Sequence, residues 1–278
     1  MENEAFAGPR TPTVSIVVPA FNEVDTVGRC LAAAVNQTVA PVEVIVVDNL
    51  STDGTADVVR AFAAAHPRVP VRLLHCPVQG LIPTRNLGLD AATGEVLGRI
   101  DADTLLDPTW VERVGAALSD PGVAAVTGPV GYHDLPWNRF GRVVDDRVRR
   151  WLLDLGPDYP FVFGSNMALR SSAWRTIRDE SCRDAADQFH EDIDLAVHLH
   201  ENGLRVRYDS TAAAAISARR MDDRPAAFHD YTGRYTRTYA AHGIARWYLR
   251  LPALLLRSVY WPVHLARTLR VPAQELAA

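Results

Sequence analysis

Four short, β-branched runs, each followed by a helical pattern, constrain this chain more than any other feature. Thr13 to Pro19 (TVSIVVP) closes on proline and precedes Val27, Cys30, Leu31, Ala34 and Val35 on one helical face. Glu43 to Val47 (EVIVV) repeats the strand signal, and Ser51, Thr52 and Asp53 offer caps before a helix over Ala56 to Ala65. Val71 to Leu74 is a third strand, followed by a helix that begins near Pro83 and stops before Gly94. Glu95 to Ile100 is the fourth, leading into Asp101-Ala102-Asp103 and a helix from Pro108 to Leu118. Such alternation predicts an α/β fold, a parallel sheet covered on both faces by right-handed crossovers. Ligands in these sheets lie outside the carboxyl ends of the strands, here beside Pro19, Asp48 and Asp101.

Beyond Val123 to Val130 the alternation loosens into an α+β pattern. Trp137 to Leu153 reads as a basic helix, Phe161 to Leu169 as a strand and His190 to His200 as a helix. Arg205 to Tyr208 and Ala212 to Ser217 are short strands, and the chain from Pro225 onward is mainly helical. With 48% apolar and 22% charged residues, long disorder is excluded. The balance of 29 Lys plus Arg against 33 Asp plus Glu, net −4, argues against nucleic acid as a partner. Cys30, Cys76 and Cys182 have no metal-ligand spacing, so neither a disulfide framework nor a zinc site is expected. Met1 to Thr11 lacks the basic start and apolar run of a secretory signal and reads as a mobile tail. Arg250, Arg257, Arg267 and Arg270 interrupt the apolar C-terminal region, so no membrane span is predicted, and a reducing, cytoplasmic setting is expected.

Chemistry concentrates at the strand exits. Asp101 and Asp103, one residue apart, can reach a single hard cation of the Mg²⁺ or Mn²⁺ kind, which would bridge diphosphate oxygens; Asp-x-Asp also occurs at ordinary turns. Asp48 ends the second strand, where a carboxylate can accept hydrogen bonds from a base or ribose, whereas Asp53 does turn and cap work. Phe21 is placed to stack on a nucleobase or simply to pack at a loop edge. Glu191 and Asp192 at a helix start could serve only the helix dipole.

Taken together, Val14 to Glu23 (VSIVVPAFNE), Val46-Val47-Asp48 with Ser51 to Thr55, and Arg85-Asn86-x-Gly88 before Asp101-Ala102-Asp103 resemble family 2 glycosyltransferases. Gly164-Ser165-Asn166 resembles the acceptor-side loop of that family, and Glu191-Asp192 its ED motif, so the likeness runs over roughly residues 13 to 220. The resemblance implies a GT-A fold: a Rossmann-like, mostly parallel sheet with an α+β acceptor-side half. It also implies a nucleotide-sugar donor, with a UDP-sugar favoured, a divalent metal, and inversion at the anomeric carbon. Asp103 would then be the main metal ligand, Asp101 would lie near ribose or metal, and Asp48 would read the base. Pro19, Ala20, Phe21, Glu23 and Arg85 would line the nucleotide side, Asp192 would be the general base, and Glu191 would stand on the acceptor side. Ser217-Ala218-Arg219-Arg220 resembles a segment whose arginines face the diphosphate, and His229 or His242 would supply a third metal ligand.

The expected organisation is a tail over 1–11, a glycosyltransferase domain over 12–220 and a helical C-terminal segment over 221–278. Within the domain, 12–130 would be the nucleotide-binding half and 131–220 the acceptor-side half. Asn49-Leu50 departs from the family's usual pair after the base-reading aspartate. Gly243 to Trp247 echoes the end of a processive synthase signature but lacks its glutamine, so processive polymerisation is not predicted. Tyr248 to Arg270 interleaves apolar residues with four arginines, as an interfacial helix would, although Pro252 and Pro262 should interrupt it. Its readings are peripheral contact with the inner face of the membrane, packing on the catalytic domain, or a homodimer interface. The rival functions are transfer to a polyprenyl phosphate, whose anionic acceptor needs no base, and a catalytically silent nucleotide-sugar-binding protein. The acceptor stays unknown at this level.

Overall fold

The computed structural model describes residues 11–136, 138–156, 161–181, 183–184 and 188–268. The expected tail apart from Thr11, the Trp137 start of the basic helix, Cys182 and Arg270 lie outside the described residues. The first half alternates as β1 (Val14–Ala20), α1 (Val27–Val35), β2 (Glu43–Asp48), α2 (Thr55–Ala65), β3 (Val71–His75), α3 (Leu81–Ala91) and β4 (Val96–Arg99). Then come β5 (Leu105–Leu106), α4 (Trp110–Ala117), β6 (Ala125–Thr127), β7 (Val130–Tyr132), α5 (Asn138–Leu155), β8 (Met167–Arg170) and α6 (Ser171–Ile177). The chain continues through α7 (Glu191–Glu201), β9 (Val206–Tyr208), β10 (Ala214–Ile216), α8 (Pro225–Ala241) and α9 (Leu251–Thr268).

Seven strands form one sheet in the order β3-β2-β1-β4-β8-β6-β9. All its pairs are parallel except those of β8, which runs antiparallel to both β4 and β6. A small second sheet, β5-β10-β7, closes over the strand exits of the second half. Every residue of β1, β2 and β4 is buried, which is why these strands read as continuous apolar runs rather than alternating ones. Ile16, Val18, Val44 and Val46 face Leu31, Val59 and Trp110 on one side, and Val17, Leu97 and Leu169 face Trp174, Leu195 and Leu199 on the other. Each such side chain contributes about 1.5–3 kcal/mol by leaving water.

Gly88 sets the depth of α3. A Cβ there would lie 2.4 Å from Val17 Cγ1 and 2.9 Å from Val47 Cγ2, so the helix rests directly on β1 and β2 and holds Arg85 against the sheet edge. Glu43, at the opposite end of β2, is buried and collects the Ser15 hydroxyl, the Thr93 amide and hydroxyl, and the Arg72 guanidinium. Burial alone would raise its pKa, but these donors outweigh burial and bring the carboxyl from an ordinary 4.5 down to about 2. A depressed acid pKa stabilises the fold fully above pH 4.5 and loses that contribution as pH falls through about 2; linkage makes it about 3 kcal/mol at neutral pH. Glu43→Gln should therefore flatten the fall in stability between those pH values, which urea titrations at stepped pH will measure.

Three expectations change. The strand over Phe161 to Leu169 is confined to β8, because the Asn166 amide turns back to donate to the Phe163 carbonyl at 2.9 Å and makes Phe163 to Asn166 a tight turn. Helix α6 follows β8 directly and lacked a long periodic pattern of its own. Neither proline breaks α9. Pro252 sits in its first turn, where no amide is needed, and the helix continues through Pro262 while Tyr260 and Val263 pack against Ala218, Met221 and Phe228. The Tyr260 hydroxyl donates to the Asp223 carbonyl, and Arg267 pairs with Asp134 and Asp222, so α9 is tied to the body of the molecule. Among the described residues no helix is long and apolar enough to cross a membrane.

Candidate functional site

The exits of β1 and β2 are stitched together by their own loops. Asn22 adopts φ 54°, donates its amide to Ser51 Oγ and accepts the Thr52 amide on its side chain. The Glu23 amide donates to Thr55 Oγ1 and the Val24 amide to Asp53, whose other oxygen accepts from Thr55. Asp53 is thus a turn residue, as its position suggested. Pro19 and Ala20 finish β1 in register with Val47 and Asp48, leaving Phe21 49% exposed at the mouth. Asp48 is buried, with His75 Nδ1 3.4 Å from one oxygen, and its Oδ1 has no hydrogen-bond partner among the described residues. A buried carboxylate oxygen left over at a strand exit fits a donor arriving with a ligand. Asn49 is fully used: its amide donates to the Cys76 and Val78 carbonyls and its oxygen accepts from Gln79 and Gly80.

Asp101 and Asp103 leave β4 beside Glu23. Asp103 is buried, and burial together with the neighbouring Asp101 charge pushes its carboxyl from 3.8 up to about 6, with Arg219 opposing. Arg219 forks both terminal nitrogens onto the Glu23 carboxylate and sets its Nε 3.2 Å from Asp103 Oδ2. One guanidinium from the second half of the chain thereby balances two carboxylates from the first. Arg220 points away, 3.2 Å from Asp223 and over the Tyr231 ring.

A second charged cluster abuts the first. Buried Arg85 donates to Asp101 Oδ1 at 2.6 Å and pairs with Glu191, which also pairs with the fully buried Arg99 of β4. Glu191 therefore turns inward to two arginines. Asp192, the next residue of α7, accepts the Gly164 amide at 3.0 Å and the Ile193 amide at 2.9 Å. Burial would raise its pKa, yet the charges of His190 and Arg99, the Gly164 amide and Arg85 hold it below the ordinary aspartate value. Gly164 is sterically required: a Cβ would stand 2.3 Å from Arg99 Nη2, whose side chain has nowhere to go. Asp103 and Asp192 thus border one continuous network through Asp101, Arg85 and Glu191.

This coupling of a carboxylate pocket at the strand exits to a carboxylate at a helix start, on a seven-stranded sheet, invites comparison with known proteins. Residues 15–185 match the model for glycosyl transferase family 2. The chain belongs to that family. It is 35% identical over 123 residues to glycosyltransferase AglE of Haloferax volcanii, covering 44% of this chain and 40% of the relative. To the uncharacterised glycosyltransferase YibD of Escherichia coli it is 28% identical over 211 residues, 71% of this chain and 59% of the relative. The chain thus spans well under two thirds of these relatives. Its fold is similar to that of the mannosyltransferase PcManGT of Pyrobaculum calidifontis, solved with GDP-Man and Mn²⁺, with TM-score 0.62 and 21% identity over 96% of this chain and 78% of that one. The glucosyl-3-phosphoglycerate synthase of Mycobacterium tuberculosis is also similar, with TM-score 0.57 and 20% identity over 85% and 82%. The architecture is that of the GT-A glycosyltransferases.

The donor chemistry of Asp101 and Asp103 suits a hard divalent cation, since both offer only oxygens, although Asp101 is paired with Arg85 and Glu23 with Arg219 as the side chains stand. The remaining residues expected at the site divide. Ser165 is buried beneath it, its carbonyl accepting from Thr104 Oγ1 at 3.4 Å. Asn166 is a structural hub, not a surface contact: it accepts the Trp110 indole and donates to the Pro129 and Ala212 carbonyls. His229 is exposed near the start of α8, and His242 Nε2 donates to Asp194 Oδ1, 2.8 Å away, so among the described residues neither histidine is joined to Asp103 by a hydrogen bond. Sequence reasoning missed Arg99 and His190. Arg99 had a signal, a lone charge in an otherwise apolar strand; His190 had none beyond preceding the ED pair. Its buried ring stands edge-on to Tyr231 and Tyr235, with centroids at 4.8 and 4.4 Å.

Proposed function

We propose that this chain is a metal-dependent, inverting glycosyltransferase that moves a sugar from a nucleotide-sugar, a UDP-sugar being favoured, to an acceptor hydroxyl. The observation that carries the reading is the contact path from Asp103 and Asp101 through Arg85 and Glu191 to the start of α7. It supports a reading in which the carboxylate pocket serves the leaving diphosphate and Asp192, beside Glu191, serves the acceptor. Asp48 accepts from the base and Phe21 stacks on it, with Pro19 and Ala20 shaping the mouth. Asp103, with Asp101, would hold Mg²⁺ or Mn²⁺, whose chemistry is to neutralise the departing diphosphate, and Glu23 would line the nucleotide side. Arg219, released from Glu23 and Asp103, turns its planar fork to the phosphates, whereas Arg220, expected beside it, is held away by Asp223 and the Tyr231 ring. Asp192, ionised at neutral pH, takes the proton of the acceptor hydroxyl, and the Gly164 amide fixes its orientation.

Thermal shift with UDP-, GDP- and dTDP-sugars, each with Mn²⁺ and with chelator, tests the donor side. One nucleotide should give a metal-dependent rise that Asp103→Asn abolishes. A rise insensitive both to chelator and to Asp103→Asn sinks the metal assignment, and binding without transfer across an acceptor panel favours the silent binding protein.

A lipid-borne acceptor is supported by a separate observation. Helix α9 buries one face and leaves Leu254, Leu255, Val259, Trp261 and Leu265 exposed on the other; α5 likewise exposes Phe140, Val143, Val144 and Trp151 among Arg147 and Arg150. Aromatic and apolar residues mixed with arginine suit the surface of an anionic membrane. Flotation with anionic liposomes should recover the protein, and Trp261→Asp with Leu265→Asp, both at exposed positions, should cut recovery at least tenfold. Unchanged recovery removes α9 from the membrane reading.

A further inference from the structure

Beyond the catalytic pocket, we infer that Asp194, His198 and His242 form a second metal site, suited to a transition-metal ion of the zinc class and serving stability rather than chemistry. Each offers one ligand atom, and the three atoms lie within 4.8 Å of one another. His242 Nε2 is 2.8 Å and His198 Nε2 3.7 Å from the same oxygen, Asp194 Oδ1. Tetrahedral zinc with bonds of about 2.0–2.1 Å sets its ligand atoms about 3.3 Å apart, a value these two separations bracket. The two imidazole rings are nearly perpendicular, at 79° with centroids 5.1 Å apart, so they do not stack on each other.

An Asp194–His242 ion pair would account for the shorter distance alone. It leaves His198 unexplained. With Nε2 toward the shared oxygen, the buried Nδ1 of His198 makes no hydrogen bond among the described residues, yet it faces Glu201 Oε2 at 3.5 Å and Glu180 Oε2 at 3.9 Å. A histidine that ligates through one nitrogen and aims the other at a carboxylate is the outer-shell arrangement that fixes tautomer and ring orientation at metal sites. Two imidazoles and one carboxylate also select differently from the oxygen-only pocket of Asp101 and Asp103: they favour zinc or cobalt over magnesium.

The location gives the ion its effect. Asp194 and His198 are one turn apart on α7, and His242 follows the last residue of α8. Between the two helices lies a small apolar cluster, Ile193 and Val197 of α7 against Tyr235 and Tyr239 of α8, with Ile244, Tyr248 and Leu249 beyond α8 closing it. An ion there clips α7, whose first turn carries Glu191 and Asp192, to α8.

The test uses the full chain, stripped with chelator, and needs no nucleotide. Adding one equivalent of Co²⁺ should give the strong visible absorption of a tetrahedral site, and Zn²⁺ should displace it and raise Tm by several degrees. Both signals should survive Asp103→Asn and vanish in His198→Gln and His242→Gln. Glu201→Gln, at a half-exposed position that spares the fold, should weaken Co²⁺ binding at least tenfold. Absence of the absorption in the wild type, its loss in Asp103→Asn, or full-strength binding in His198→Gln each overturns the site.

Discussion

Asp192→Asn lowers turnover by about 10²- to 10⁴-fold while donor binding stays within a factor of a few. The substitution keeps the shape of the side chain and an oxygen for the Gly164 amide, so the loop stays where it is. What disappears is the negative charge to which the proposed mechanism assigns the acceptor's proton. Because its surroundings outweigh burial and hold the aspartate below its ordinary value, protonation of Asp192 should not limit the wild-type rate near neutral pH, and an acid limb near pH 6 belongs to Asp103 instead. Single-turnover rates and nucleotide thermal shifts, measured on the same protein, separate chemistry from binding. A variant that binds donor and still turns over near the wild-type rate removes base catalysis and points to an acceptor that is already an anion, such as a lipid phosphate.

Much of the frame of this site is legible in the sequence, because it rests on local rules. A β-branched run buried on both faces reads as a strand, and the residue at its exit is at the ligand edge by topology alone; Asp48 and Asp101 follow from that. What stays hidden are partners far apart in the chain. Arg219 meets Glu23 across 196 residues, and Asn166 meets Trp110 across 56, so one is seen in the sequence only as a basic residue and the other only as a loop amide. The inward turn of Glu191 has the same origin: its partners Arg85 and Arg99 sit on elements that precede it by about a hundred residues. His242 shows the converse. Its residue type suggested a metal ligand, but the length of α8 carries it to Asp194 rather than to Asp103. Pro262 survives inside α9 because tertiary contacts on Tyr260 and Val263 outweigh the helix bond it removes.

Glu191→Gln should cost about 3 to 5 kcal/mol of stability and lower Tm by roughly 10 °C, more than any exposed ion pair in the molecule is worth. Arg99 is 1% exposed and Arg85 5%, so removing the shared carboxylate leaves two guanidiniums facing each other in a region that water does not reach. Asp101 remains paired with Arg85, and the negative charge of Asp192 also acts on Arg99, but neither replaces the carboxylate that both guanidiniums share. Urea unfolding with an unchanged m-value measures the loss. A second variant distinguishes charge from packing: adding Arg99→Met to Glu191→Gln removes one of the two cations that shared the carboxylate, lets the introduced glutamine keep its contact with Arg85, and should recover at least half of the lost stability. Recovery of activity should not follow. With Arg99 gone, Asp192 loses one of the charges that hold it ionised, and the acid limb of its pH profile should move upward even as the fold is restored. A double variant no more stable than the single one would mean that Arg99 is held by contacts other than Glu191, and that the network serves packing rather than the charge state of α7.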